Sequence, residues 1–235
     1  MSATKSEFSM SSRPLCAQCL RPPRACWCGC VQAIHSDVQV LVLQHPMEAG
    51  HAKNTARLLH QCVPGSQLQV GEVFEPDALQ HWLHAPWSSA DTTEHVRTVL
   101  LYPQTPHDPQ LPVLQPPALP SAWLESPQGL RLVVIDGTWR KSRKMLYLNP
   151  ALQHLPRLAL NNVPQGRYAI RKAHAPGQLS SFEAAALALA QLHGWSEEHP
   201  IWQQLMHSFD SVIALHQQLQ AQGSLLNSHT EGRGA

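Results

Sequence analysis

No stretch of this chain is apolar over the roughly 18 residues needed to cross a bilayer. The N-terminal segment carries Lys5 and Glu7 but no apolar core of a secretion signal. These absences predict a soluble, cytoplasmic protein. Neither sign of charge is in excess: 17 Lys and Arg face 16 Asp and Glu, a formal net charge of +1. No global basicity therefore announces nucleic acid, and any RNA surface must be local. Gly-x-Gly-x-x-Gly and Gly-x-x-x-x-Gly-Lys-Ser/Thr are both missing, as are an internal repeat and a Ser-His-Asp order, which removes the common dinucleotide, P-loop and serine-hydrolase readings.

With 235 residues, 43% of them hydrophobic, the chain can bury one main domain with an appendage. Residues 1–12 are polar and small, and are expected to be disordered. Residues 38–43 (VQVLVL), 67–73, 96–101, 130–135 (LRLVVI) and, more weakly, 157–160 read as strands, the apolar ones as buried on both faces. Helices are expected over about 53–62, over 77–83 with Asp77 as its cap, from near Thr138, and around 149–155. Residues 44–48 read as a loop. Prolines recur between 103 and 129, which predicts an extended connection. Two long helices close the pattern. Ser180 and Glu183 form a capping box before a run that Gly194 can end. The second helix starts at Pro200, buries Ile201, Leu205, Phe209, Val212, Leu215 and Leu219, and is expected to stop at Gly223. The pattern is that of an α/β domain over 37–223 with a flexible tail at 224–235.

Five of the six cysteines lie between Cys16 and Cys30. Cys16-x-x-Cys19 followed by Cys26-x-Cys28 places four thiolates in spacings whose turns can wrap a tetrahedral Zn²⁺, and Cys30 competes with Cys28 for the fourth place. Four ligands close the shell, so residues 13–36 read as a structural zinc module. Cys62 reads as core. The 15 histidines are scattered and read mostly as solvated or hydrogen-bonded side chains.

Three strand ends stand out: Gln44-His45-Pro46, Leu101-Tyr102-Pro103 and Asp136-Gly137-Thr138-Trp139. If their strands are parallel neighbours, these loops converge on the edge where open α/β sheets hold ligands. Cations collect nearby: Arg140, Lys141, Arg143, Lys144, Arg167, Arg171 and Lys172 make up seven of the 17 basic residues, enough to neutralise several phosphates.

These motifs in order, together with Glu48, Asn54-Thr55, Met145, Tyr168-x-Ile-Arg-Lys172 and Leu179-Ser-Ser-x-Glu183-Ala184, resemble the DTW-domain family of tRNA-uridine aminocarboxypropyltransferases over nearly the whole chain. Ser181 stands where that family usually has threonine. The resemblance implies a SPOUT-like, knotted, mostly parallel α/β sheet flanked by helices. It implies transfer of the 3-amino-3-carboxypropyl group of S-adenosylmethionine to N3 of a tRNA uridine (acp3U), in bacteria in the variable loop. It favours Cys28 as the fourth zinc ligand and a monomer or homodimer as the assembly. The implied catalytic set is Asp136, Thr138 and Trp139, with Asp136 as general base on N3 or as the group that orients the imide. The donor would meet Leu101, Tyr102, Pro103, Asp136, Gly137, Trp139, Arg143, Arg171 and Ser180. The tRNA would meet His45, Arg140, Lys141, Arg167 and Lys172. A SPOUT-type methyltransferase and a non-catalytic zinc RNA-binding protein are the competing readings.

Overall fold

The computed structural model describes residues 14–87, 96–104, 114–161, 163–164, 166 and 179–231, with side chains through Gln222. Five strands, β1 (Gln39–Gln44), β2 (Gln67–Val70), β3 (Arg97–Leu101), β4 (Leu130–Asp136) and β5 (Arg157–Leu158), form one sheet in the order β2-β1-β4-β3-β5. Every pairing is parallel, with Gln44 opposite Asp136 and Leu101 opposite Val134. Parallel strands need crossovers, and here helices supply most of them. α1 (Pro46–Ala49) and α2 (Ala56–Cys62) follow β1, α3 (Pro76–His84) follows β2, and α4 (Trp139–Leu148) and α5 (Pro150–Gln153) follow β4. α6 (Ser181–His193) and α7 (Pro200–Glu231) follow β5.

Side-chain alternation along the strands splits the core in two. Val40, Val42, Val99, Leu132 and Val134 face α2, α6 and α7, while Leu41, Leu43, Leu100 and Val133 face α3, α4 and α5. Both faces are thus covered, which is why the strands read as continuous apolar runs rather than alternating ones. The alanines of α6 sit flush between the sheet and α7, and Phe182 stacks on Phe209 at 4.8 Å between centroids. Each such fully buried side chain contributes about 1.5–3 kcal/mol.

The most deeply buried charge lies in the central strand. Arg131, fully buried in β4, donates to Gln39 Oε1, to the Trp82 carbonyl at 2.6 Å and to the Ala85 carbonyl at 2.9 Å, with the Trp87 ring 3.9 Å away. Its guanidinium closes the C-terminal end of α3, where backbone carbonyls would otherwise lack donors.

Four local features depart from the sequence-based expectations. Residues 46–49 are a helical turn rather than loop: Pro46 opens α1 and His45 Nδ1 accepts the Met47 N–H at 3.2 Å. α3 is capped by Glu75, not Asp77, because Pro76 takes the first helical position and the Glu75 carboxylate reaches the Ala78 N–H at 3.0 Å. β2 ends at Val70 rather than Val73: the Gly71 N–H still reaches the Gln44 carbonyl at 3.0 Å, and the Phe74 ring then packs on Gly71, where a Cβ would lie 2.6 Å from it. α7 runs through Gly223 to Glu231, covering most of the expected tail, because one interior glycine costs only about 1 kcal/mol. The capping box at Ser180 and Glu183 forms as expected, with Gly194 in the left-handed region behind it. Among the described residues no helix is long and apolar enough to cross a membrane.

Candidate active site and metal centre

The chain leaves β1 towards β2 on one side and β4 towards β5 on the other, so a topological switch falls between these two neighbouring strands. Asp136 closes β4 at that point and is 4% exposed. Its Oδ2 accepts from Gln44 Nε2 at 2.9 Å and Asn54 Nδ2 at 2.6 Å, and its Oδ1 accepts from Ser181 Oγ at 2.5 Å. Four chain segments therefore meet on one carboxylate: the end of β1, the turn before α2, the end of β4 and the first residue of α6. An ionised carboxylate has about four lone-pair sites, so among the described residues one acceptor position, on Oδ1, is left for a further donor.

Gln44 is locked within this group. Its amide nitrogen is shared between Asp136 and Asn54 Oδ1, at 3.0 Å for the latter, and a flipped amide would set oxygen against oxygen. The Gln44 Oε1 is buried and has no hydrogen-bond partner among the described residues. Sequence reasoning assigned no role to Gln44, Asn54 or Ser181. Each was in view as part of the ordered motifs, but separations of 92, 82 and 45 residues from Asp136 hid their convergence.

The rest of the Asp136-Gly137-Thr138-Trp139 segment turns the chain into α4. Gly137 sits close to α4: a Cβ there would lie 3.1 Å from the Lys141 Cβ, so a side chain would push that neighbour by a few tenths of an ångström. Thr138 caps the helix by accepting the Lys141 N–H at 3.4 Å. Trp139 remains 56% exposed, edge-on to the buried Tyr102 at 5.8 Å. Tyr102 is held from below by Arg157, whose guanidinium lies 5.3 Å from the ring and donates to the Pro103 carbonyl at 3.2 Å. The Tyr102 hydroxyl is 3.4 Å from Ser142 Oγ, and burial raises its pKa above the ordinary value. An arginine inside a short strand was the available sign of Arg157: such a cation must find partners.

The basic residues divide. Arg140, Arg143 and Lys144 are exposed on α4. Lys141 instead pairs at 2.7 Å with the buried Glu48, and His45, itself buried, bonds Glu72 through Nε2 at 2.9 Å. With Nδ1 accepting from Met47, Nε2 is the protonated nitrogen and the donor. Both residues were expected to face RNA, and both have carboxylate partners within the protein. Arg167, Arg171 and Lys172 lie outside the described residues. Ser180 is engaged in its capping box.

Lys144, and after it His45, hold the Glu72 carboxyl below its usual range of about 4.3. A depressed carboxylate stabilises the fold above its unfolded pKa and ceases to do so as pH falls through the folded value. The melting-temperature gap between wild type and Glu72→Gln should therefore narrow as pH drops from about 5 to about 3. A gap constant over that range would show that the ion pairs contribute nothing.

At the N-terminal end, the Sγ atoms of Cys16, Cys19, Cys26 and Cys28 all lie within 4.8 Å of one another, and Cys30 is not in the group. Cys16 and Cys28 are 3.7 Å apart, and Cys19 and Cys26 3.6 Å. Four thiolates at ~2.3 Å from a Zn²⁺ define a tetrahedron with edges of about 3.8 Å, so the set fits that ion. The N–H groups of Cys19 and then Gln18 draw the Cys16 thiol down, while burial pushes Cys28 up. The Leu20 N–H bonds the Cys16 carbonyl at 2.8 Å, and its φ of 56°, a left-handed conformation unusual for leucine, turns the chain so that the Arg21 carbonyl meets the Cys16 N–H at 2.8 Å.

The module is part of the main core. Trp27 is fully buried, donates to Gln61 of α2 at 2.7 Å, and lies against His216 of α7. A separate groove of about 280 Å³, lined by Glu197, Trp202, Gln203, Met206, His207 and Asp210, includes none of the strand-end residues or the cysteines.

Comparison with known proteins bears on this arrangement. Residues 13–217 match the DTW domain, a span that contains both the cysteine group and every strand end described. The tRNA-uridine aminocarboxypropyltransferase 2 of Macaca fascicularis is 26% identical over 222 residues, covering 92% of this chain and 68% of that protein. The protein of the same name from Drosophila melanogaster is 31% identical over 196 residues, 79% of this chain and 69% of that one. The tRNA-uridine aminocarboxypropyltransferase A of Arabidopsis thaliana is 27% identical over 139 residues, 57% of this chain and 50% of that one. No solved structure matches. Since the match runs from the cysteine module into α7 and takes in the Asp136-Gly137-Thr138-Trp139 turn at the switch between β1 and β4, this chain belongs to the DTW domain family.

Proposed function

We propose that this protein transfers the 3-amino-3-carboxypropyl group of S-adenosylmethionine to N3 of a tRNA uridine. The observation that carries the reading is a buried carboxylate at the sheet's switch point that keeps one acceptor position open among the described residues, within a chain whose relatives bear that activity in their names.

In the reaction, N3 attacks the Cγ methylene of the donor and the Cγ–S bond breaks with its electrons going to sulfur. The neutral thioether, 5′-methylthioadenosine, leaves without needing an acid, and the N3 proton must be removed. Asp136 Oδ1 accepts that N–H, fixing the imide and taking or directing its proton. The main service of the site is placement, since the aminocarboxypropyl arm rather than the methyl must face the base in line with the C–S bond. The fixed Gln44 Oε1 supplies an acceptor for the ammonium of the arm, and Arg143 a cation for its carboxylate. Trp139, exposed beside Tyr102, offers a stacking face for adenine or uracil. Arg140 and the cations at 167–172 belong to the tRNA surface, with the target uridine extruded from its stack and the variable loop as its position. Zn²⁺ at the four cysteines is structural. A SPOUT-like fold goes with this reading and is supported by the all-parallel sheet; the chain between β5 and α6 includes 167–178, outside the described residues.

Mass spectrometry of tRNA nucleosides after incubation with S-adenosylmethionine tests the proposal. An aminocarboxypropyl increment on uridine is expected, and a methyl increment would make the protein a methyltransferase instead. Trp139→Ala should raise the Kd for S-adenosylmethionine by about 10-fold, as the loss of one aromatic contact implies. An unchanged Kd would remove Trp139 from the donor site.

A further inference from the structure

The zinc module and the strand-end carboxylate are joined by a short series of hydrogen bonds. Arg21 directly follows the first cysteine pair and Leu20, and its carbonyl accepts the Cys16 N–H at 2.8 Å, so its backbone closes the turn that presents Cys16 and Cys19. Its side chain is buried, with the guanidinium 4.6 Å from the centre of the Trp27 ring. From there Nη2 donates at 2.9 Å to the carbonyl of His51, thirty residues away. The same carbonyl accepts the backbone N–H of Asn54, also at 2.9 Å, and Asn54 donates to Asp136 Oδ2 at 2.6 Å. Asn54 Oδ1 in turn takes the Ala56 N–H at 3.0 Å, tying this turn to the first residue of α2.

We propose that Arg21 is a positioning residue: it holds the His51 carbonyl that sets Asn54, and so couples the folded cysteine module to the placement of the Asp136 carboxylate. The planar guanidinium suits this because one nitrogen can grip the carbonyl while the plane faces the Trp27 ring, which a lysine ammonium cannot reproduce. A partner that orients a functional side chain from outside commonly governs about 10- to 100-fold of activity when removed. The coupling rests on the transferase reading above, and its test separates the two.

Arg21→Met, Arg21→Lys, Asn54→Ala and the Arg21→Met/Asn54→Ala double variant are assayed with S-adenosylmethionine and tRNA, each checked for retained zinc. Arg24→Ala, which removes an exposed arginine from the same module, is the charge control. Arg21→Met should lower kcat by about 10-fold with KM for tRNA unchanged, and the double variant should be no slower than Asn54→Ala alone. Hydrogen exchange at the Asn54 amide should speed up in Arg21→Met and in the milder Arg21→Lys, while β1 and β4 keep their protection. A kcat equal to wild type, a rise in KM alone like that of a lost phosphate contact, or losses that multiply in the double variant would overturn the coupling. If Arg21→Met does not fold, unchanged Asn54 exchange in Arg21→Lys overturns it as well. A wild-type protein that makes no aminocarboxypropyl product removes the transferase reading and leaves the exchange result to judge the coupling.

Discussion

Replacing Asp136 with asparagine is expected to leave a folded protein that binds S-adenosylmethionine and tRNA but turns over about 10²–10⁴ times more slowly. The structure explains why the fold should survive. The asparagine carbonyl can take the place of Oδ2 and still accept from Gln44 and Asn54. Its amide nitrogen then replaces Oδ1 and faces Ser181, whose hydroxyl can rotate from donor to acceptor. What cannot be restored is the remaining acceptor on Oδ1, because a donor now points at the N–H of the base. The loss should appear in kcat with KM nearly unchanged, the pattern of an interaction made in the transition state. Ser181→Ala, which keeps the carboxylate and its charge, should cost far less. An Asp136→Asn enzyme within about threefold of wild-type rate would show that the carboxylate is scaffold only and that the proton leaves by another route.

Loss of the Zn²⁺ proposed at the four cysteines is expected to have the largest effect on stability. Structural Zn²⁺ contributes about 10–16 kcal/mol of apparent binding energy in isolated fingers, as much as or more than the total stability of most domains. On sequence grounds, Cys19→Ser should loosen the N-terminal module and spare the sheet. The packing changes that expectation, because Cys19 and Trp27 lie in the same core as α2, α6 and α7. Removing Trp27 alone should cost about 3–5 kcal/mol. Chelation or Cys19→Ser should therefore lower the single unfolding transition of the whole domain. A sheet that melts at its wild-type temperature while 14–36 loosens would restore the picture of an independent module. Elemental analysis finding no zinc in protein purified without chelator would remove the metal altogether.

What could be read from the chain, and what could not, follows from the range over which each signal acts. β1 and β4 were legible because strands covered on both faces carry unbroken apolar runs. The α6 cap was legible because Ser180 and Glu183 are three residues apart and the side chain of each bonds the other's backbone N–H. The convergence of Gln44, Leu101 and Asp136 followed once parallel neighbours were assumed, and the register bears this out. The carboxylate's three donors were not legible as a set, since only the sheet order brings them together. His45 and Lys141 show the converse: a cluster of cations in sequence does not reveal which of them have a carboxylate waiting on another loop. Glu75 and Gly223 are smaller cases, in which a proline moved a cap by two residues and a long helix absorbed a glycine.

The pairing of β1 with β4 also bears on how the protein is made. Gln44 and Asp136 are 92 residues apart, so β1, buried from Val40 to Gln44, leaves the ribosome long before the strand that covers its inner edge. At a synthesis rate of about 5–20 residues per second, that edge waits roughly 5–20 s for its partner. During that time the nascent chain presents an apolar strand with open backbone groups, the kind of surface that chaperones bind and that otherwise recruits like strands. Slowing elongation before residue 130 lengthens that wait and should therefore yield more insoluble protein, and added chaperone capacity should offset the loss.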